Sequence, residues 1–88
     1  MSFTVIWKPV AERQLVELWL NAEDRTTFTF AAEEVEARLR TAPVEFGESR
    51  DDFARVAVVR PLVVHFEVHE EDRMVSVLSV RSITTRWM

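Results

Sequence analysis

The chain has 88 residues, of which 48% are hydrophobic and 30% are charged, with one Gly, three Pro and no Cys. This size and composition predict a single folded domain over residues 1–88, and the lack of Cys excludes disulfides and thiolate metal sites and favours a cytoplasmic protein. The net charge of −4 argues against a general nucleic-acid binder, since such proteins bind phosphates through clustered Lys and Arg.

The chain begins with a β pattern that runs into a helical one. Residues 3–7 are mostly β-branched or aromatic, which predicts a first strand that ends before Pro9. From Pro9 onwards apolar residues recur at helical spacing, and this periodicity predicts an amphipathic helix over residues 9–21. Trp7 and Trp19 fall at core positions of these two elements.

A polar break at residues 21–25 separates this helix from a second one. Either Asp24, Thr26 or Thr27 is suited to cap the second helix, and Pro43 ends it. The apolar face of this helix is predicted to consist of Phe28, Ala32, Val35, Leu39 and Ala42. The short link between the two helices predicts a helical hairpin.

The remainder of the chain has the pattern of a loop followed by a meander. Residues 43–52 contain the only Gly and have no period, so we predict an irregular loop, and loops of this length are often functional. Strands are predicted over residues 53–59, 62–69 and 74–83. Short turns between adjacent strands indicate antiparallel pairing. The predicted fold class is therefore α+β: an N-terminal strand, a helical hairpin and a three-stranded antiparallel meander.

The middle strand of the meander predicts which side of the sheet meets the helices. Its core face is predicted to consist of Leu62, Val64, Phe66 and Val68, and its open face of Val63, His65, Glu67 and His69. The last predicted strand has apolar residues on both of its faces, since Val75 and Val77 fall on one face and Leu78 and Val80 on the other. This pattern is typical of a strand that is covered on both sides or paired with a partner.

The order of elements resembles the RelE/ParE superfamily of toxins from bacterial type II toxin–antitoxin modules. Residues 5–11 are similar to the start of that family, where an aliphatic strand enters a helix, and residues 55–81 are similar to its C-terminal hairpin. The resemblance implies a RelE/ParE-like fold, a plasmid-stabilisation type of role and a cognate antitoxin as partner. It also implies a target in the translation machinery (ribosome or mRNA) or DNA gyrase.

Members similar to RelE cut messenger RNA with basic residues and a C-terminal aromatic, and this chain matches that set poorly. The Arg implied early in the central strand falls near Val63, and the implied Lys pair falls within residues 55–59, which contain no Lys. Arg81 fits the basic residue at the end of the last strand, and Trp87 stands near the C-terminal aromatic. The resemblance therefore favours a toxin that acts by protein recognition over a ribonuclease.

Three residues are candidates for catalysis in a ribonuclease with an altered site. Histidine is the residue type most often used as a general acid or base, which makes His65 a candidate, and Arg60 and Arg81 are suited to bind a phosphate. An ordinary half-exposed position between strands is the competing interpretation of His65. The candidate residues for partner binding are Arg50, Val63, Glu67, Val80 and Trp87.

We expect no metal and no cofactor. His65 and His69 lie four residues apart on a strand, so their Cα atoms are roughly 13 Å apart and a shared zinc ion is disfavoured. No run reaches the roughly 18 apolar residues of a membrane span, and charged residues among the first twenty argue against a signal peptide. Besides toxin and messenger-RNA endonuclease, a third hypothesis is a homodimeric binding module whose last strand pairs with its twin.

Overall fold

The computed structural model describes residues 2–83, which form two α-helices and one mixed sheet. The elements in chain order are β1 Thr4–Trp7, α1 Pro9–Leu20, α2 Arg25–Thr41, a 3₁₀ turn Pro43–Glu45, β2 Glu48–Ser49, β3 Ala54–Val59, β4 Leu62–His69 and β5 Met74–Ser82. The predicted α+β class, the helical hairpin and the meander β3–β4–β5 are confirmed. Within the described residues, neither helix combines the length and apolar character that crossing a membrane requires.

The sheet has the strand order β1-β5-β4-β3-β2, so β5, the last of the described strands, lies inside the sheet. β5 pairs antiparallel with β4 on one side and parallel with β1 on the other. Beyond the end of β1, the backbone N–H of Val80 donates to Oε1 of Gln14 on α1 at 2.8 Å. Pairing of the last strand with its twin is therefore wrong as a route to a homodimer, because β1 and α1 already lie along that side of β5.

The two apolar parities of β5 result from a β-bulge rather than from a partner. The pairing steps from His65 opposite Ser79 to Phe66 opposite Val77, so Leu78 is an extra residue on β5. An extra residue exchanges the two faces of a strand. As a result Val77 and Val80 both belong to the core, with exposures of 0% and 3%. Val80 therefore offers almost no surface in the isolated chain, and its contact with a partner stays a prediction.

The helices begin where the sequence supplies N-terminal signals. Pro9 occupies the first turn of α1, where its missing N–H costs nothing. Asp24 caps α2, since one carboxylate oxygen accepts from the backbone N–H of Thr27 at 3.0 Å and the other from its hydroxyl at 2.8 Å. These two hydrogen bonds hold the pKa of Asp24 below its ordinary value of 3.8. Arg25 covers the end of α1 by donating to the carbonyl oxygens of Trp19 and Leu20.

The core lies between the helices and the predicted inner face of β4. All four residues of that face are buried, and Phe66 stacks on Phe46 with 5.8 Å between ring centroids. From α2, Val35 and Leu39 reach the same core and have no exposed surface. The predicted face assignment of β4 is therefore confirmed on the core side.

The segment predicted as an irregular loop is more regular than expected. It contains the 3₁₀ turn and the short strand β2, which pairs antiparallel with β3 at Val56 and Arg55. Gly47 precedes β2 with φ of 80°, and a Cβ there would lie 2.2 Å from the carbonyl oxygen of Val56. Only Gly fits this position, because both the backbone angle and the close approach to β3 exclude a side chain.

Candidate partner-binding groove and open sheet face

An apolar groove of about 680 Å³ lies between α1 and α2, and we call it the helical groove. Its apolar walls include Trp7, Leu15, Val16, Trp19, Phe28 and Ala32. The groove exists because α2 presents small side chains, Thr29, Ala32 and Ala37, towards it. Side chains of this size do not reach across the space between the helices, so the aromatic and aliphatic surface of α1 stays uncovered.

The floor of the helical groove is held in place by a polar contact. Nε1 of Trp7 donates to Oε1 of Glu36 at 2.9 Å, and the other oxygen of the same carboxylate pairs with Arg40. Glu36 is thus anchored from two sides, and the indole of Trp7 is oriented by it. A site with its side chains already ordered loses less entropy when a partner binds.

Trp19 forms the outer wall and is also oriented. Its Nε1 donates to the hydroxyl of Thr29 at 3.2 Å, and the guanidinium of Arg25 lies 4.7 Å from the ring centroid. The side chain nevertheless remains 39% exposed. The prediction that both tryptophans occupy core positions is therefore wrong for Trp19, while Trp7 is half-buried at the base of the groove.

The two helices that form the helical groove expose further apolar side chains. Val16 in its wall is 52% exposed, and Leu20 on α1 and Phe30 on α2 are 54% and 65% exposed. Scattered apolar residues need no explanation, but a contiguous patch with a concavity is typical of a binding surface. The sequence contained a signal for this: Val16 and Trp19 widen the apolar stripe of α1 beyond what one face of a small core requires.

The opposite side of the sheet, which we call the open face, has a different character. Residues paired across neighbouring strands share a face, and three rows cross β3, β4 and β5 here. From β3 to β5 the rows are Val58, Val63 and Arg81; Val56, His65 and Ser79; and Ala54, Glu67 and Ser76. Aliphatic, hydroxyl and charged side chains alternate across this surface.

The three predicted catalytic residues lie towards one end of the open face. His65 is half-buried, and Arg81 is its diagonal neighbour, which corresponds to a Cα separation of roughly 7–8 Å. Arg60 is exposed in the turn between β3 and β4. The structure thus brings His65 and Arg81 together and leaves Arg60 at the edge.

The other basic residues of this part of the sheet are engaged in local contacts. Arg55 on β3 donates through Nε to the carbonyl oxygen of Phe46 and through Nη2 to that of Gly47. Arg50, predicted to bind a partner, is exposed and lies 3.7 Å from a carboxylate oxygen of Glu48. Arg55 therefore stabilises the turn before β2 and is not directed at a ligand.

The remaining predicted partner contacts have mixed positions. Val63 is only 4% exposed, so it offers almost no surface in the isolated chain, and its contact with a partner stays a prediction. Glu67 is half-buried and lies 3.3 Å from Nε2 of His69, whose ring packs against Phe53 with 4.8 Å between centroids. Trp87 lies outside the described residues. Residues 2–83 contain no group of three or more His, Asp or Glu side chains arranged to hold a metal ion.

Comparisons with known proteins identify the fold. The RelBE2 toxin–antitoxin complex from Mycobacterium tuberculosis matches with a TM-score of 0.75 and 19% identity, over 93% of this chain and 92% of that chain. The chromosomal ParDE system from P. aeruginosa matches with a TM-score of 0.68 and 15% identity, over 93% and 97%. The isolated RelE toxin of E. coli matches with a TM-score of 0.64 and 18% identity, over 96% and 87%. No protein-family model matches the sequence, and no curated protein is significantly similar to it.

Proposed function

We propose that this chain, which has the fold of the RelE and ParE toxins, is the toxin of a type II toxin–antitoxin pair. The observation that carries the proposal is the match of nearly the whole chain to three toxin structures. Two of these come from systems that pair a toxin with an antitoxin. The predicted RelE/ParE-like architecture is thereby confirmed at the level of the fold.

The helical groove supports an antitoxin as the partner. It is apolar, its tryptophans are oriented by hydrogen bonds, and the two helices that form it expose further large apolar side chains. Leaving such a surface in water is unfavourable, whereas burying it against a second protein stabilises both chains. An antitoxin docked in the groove would keep the pair together inside the bacterial cell.

The open face supports action by protein recognition, with DNA gyrase or a component of the translation machinery as the target. Among the described residues of β3, β4 and β5, the basic groups on that face are His65, His69 and Arg81, and the position corresponding to an expected Arg is the buried Val63. Arg55 is used to hold a turn. RNA cleavage needs several cationic groups around the developing charge, and this face presents few.

Controlled expression of the chain in bacteria tests the proposal. We expect growth to stop when the chain is produced alone and to recover when the small protein encoded beside its gene is co-produced. A purified complex of the two proteins, measured by light scattering, is the matching physical result. Unchanged growth together with no complex would remove the toxin assignment.

Messenger-RNA endonuclease activity is the second candidate function, and the proximity of His65 to Arg81 is the observation that favours it. In that mechanism His65 would take the proton from the hydroxyl that attacks phosphorus as the bond to the leaving oxygen breaks, and Arg81 would stabilise the negative charge on the phosphoryl oxygens. Sequencing of cellular RNA ends after induction separates the two functions. New cleavage sites that disappear with His65→Ala and Arg81→Ala would establish the endonuclease, whereas intact messages during growth arrest support recognition.

A further inference from the structure

A hydrogen bond joins α1 to β5 beyond the point where β1 ends. β1 ends at Trp7, which is paired with Val77 on β5. Three residues after Val77, the backbone N–H of Val80 donates to Oε1 of Gln14 at 2.8 Å. Val80 is only 3% exposed, and a buried N–H without an acceptor is unfavourable. The half-buried side chain of Gln14 therefore takes the place of the strand neighbour that β1 provides to the first half of β5.

The β-bulge at Leu78 creates the donor that Gln14 accepts. Val77 directs its carbonyl oxygen towards β1, where the N–H of Lys8 donates to it at 3.0 Å. Successive residues of a strand direct their backbone groups to alternate sides, so in a regular strand Val80 would direct its N–H towards β4. The extra residue reverses the alternation, and the N–H of Val80 points towards α1 instead.

The same bulge decides which side chains of β5 reach the open face. A regular strand continued from Val77 without the extra residue would place Arg81 opposite Leu62, which has no exposed surface. The guanidinium of Arg81 would then lie in the core, where an unpaired charge is strongly unfavourable. With the bulge, Arg81 lies opposite Val63 and diagonal to His65 on the open face. The position of Arg81 on that face therefore depends on the bulge.

We infer that Gln14 is a positioning residue of the open face: by accepting the N–H of Val80 it fixes the geometry of the bulge and thereby directs Arg81 at the target of the toxin. The inference rests on the proposed function, because it assigns Arg81 to contact with the target. Arg81 follows Val80 directly, so a shift of the Val80 backbone changes the direction of the Arg81 side chain. Charge-assisted hydrogen bonds from a guanidinium require good alignment, so such a shift weakens target contact. Gln14 lies on α1, on the other side of the sheet, and acts on the open face only through β5.

A double-mutant cycle on growth arrest tests whether Gln14 acts through Arg81. Gln14→Met removes the acceptor and keeps an unbranched side chain of similar size. At equal intracellular amounts of the chain, we expect its potency in growth arrest to fall about tenfold, the effect of losing one well-aligned hydrogen bond. Arg81→Ala should lower potency by at least as much. The double variant should be no less potent than Arg81→Ala alone, because residues that act as one unit are not additive.

Two control variants separate the acceptor from the rest of the side chain. Gln14→Glu keeps an oxygen that accepts an N–H and should retain potency within about twofold of the unmodified chain. Glu17→Met makes a matched change at an exposed position of α1 and should also leave potency within about twofold. Gln14→Met should still bind the small protein encoded beside this gene with unchanged affinity in titration calorimetry, which shows that the chain is folded. If Gln14→Met does not fold, Gln14→Leu removes the same acceptor and replaces it in the cycle.

Amide hydrogen exchange, followed by NMR, measures the positioning without any target. In Gln14→Met the exchange of the Val80 N–H should become at least about tenfold faster, and that of Val75, in the part of β5 that β1 covers, should not change. Unchanged exchange at Val80 would overturn the inference, because Gln14 would not hold the bulge.

The outcomes distinguish this inference from the proposed function. Full growth arrest by Gln14→Met, or independent losses that multiply in the double variant, would overturn the inference and leave the toxin–antitoxin assignment intact. Absence of growth arrest and of any complex for the unmodified chain would remove the proposed function itself, and the role of Gln14 in target contact with it.

Discussion

The helical groove and the open face of the sheet lie on opposite sides of one core, and their side chains differ in polarity. The groove is mainly aromatic and aliphatic, and Glu36 and Thr29 in its lining orient Trp7 and Trp19. The open face carries charged and hydroxyl groups, but several of them are half-buried or engaged with neighbours. The first surface is suited to bind a protein, and the second has little freedom for chemistry.

The difference shows how a small sheet protein separates two tasks. Residues of β4 alternate between the faces, so the strand supplies the core with one set of side chains and the open face with the other. The helical groove, by contrast, does not depend on the alternation of a strand. The distance between α1 and α2 depends on the size of the side chains that the two helices present to each other. Changes to the groove should therefore affect binding with little effect on folding, and changes to the inner face of β4 should do the reverse.

The largest expected effect is on folding and concerns adjacent residues of β4. Phe66→Ala removes a ring with no exposed surface and should lower the free energy of unfolding by about 3–5 kcal/mol. His65→Ala, on the other side of the strand, should lower it by less than about 1 kcal/mol. Denaturant titration of both variants measures the difference, and equal losses would break the assignment of the two faces.

The next largest effect is on partner binding. Trp19→Ala removes an oriented indole from the wall of the groove and should weaken antitoxin binding by about 2 kcal/mol. Val58→Ala is the matched change on the open face, where the side chain is 53% exposed, and should cost less than about 0.5 kcal/mol of binding free energy. Titration calorimetry compares them. If Val58→Ala lost more binding free energy than Trp19→Ala, the partner would bind at the open face of the sheet and not at the groove.

The smallest expected effect is on stability at low pH and concerns Asp24, which caps α2, the helix that forms one wall of the groove. The stability that comes from the lowered pKa of Asp24 is present above the unfolded value of 3.8 and is lost as the pH falls through the lower folded value. Asp24→Asn keeps a side-chain acceptor for Thr27 but removes the titration. Below pH 3.8 the melting temperature of this variant should decrease less steeply than that of the unmodified chain, and melting curves between pH 2 and 5 measure it. Parallel profiles would show that the cap does not contribute to acid stability.

The candidate site was predictable only where it depends on alternation along one strand. The positions of His65 and Glu67 on the open face follow from the period of β4 alone. The burial of Val63 does not follow from that period. The period places Val63 on the open face, whereas the structure buries it. The helical groove was not predicted, since an apolar stripe on each helix is compatible with close packing as well as with a gap.

The sequence by itself determined the local elements: Pro9 begins α1, Asp24 caps α2, Pro43 ends the helical hairpin, and the alternation of β4 places its core face. These features depend on residues within a few positions of each other, so local backbone chemistry is sufficient. The tertiary structure alone decided the parallel pairing of β1 with β5, the bulge at Leu78 and the space between α1 and α2. Each of these depends on contacts between segments far apart in the chain, where register and side-chain size must be matched across elements.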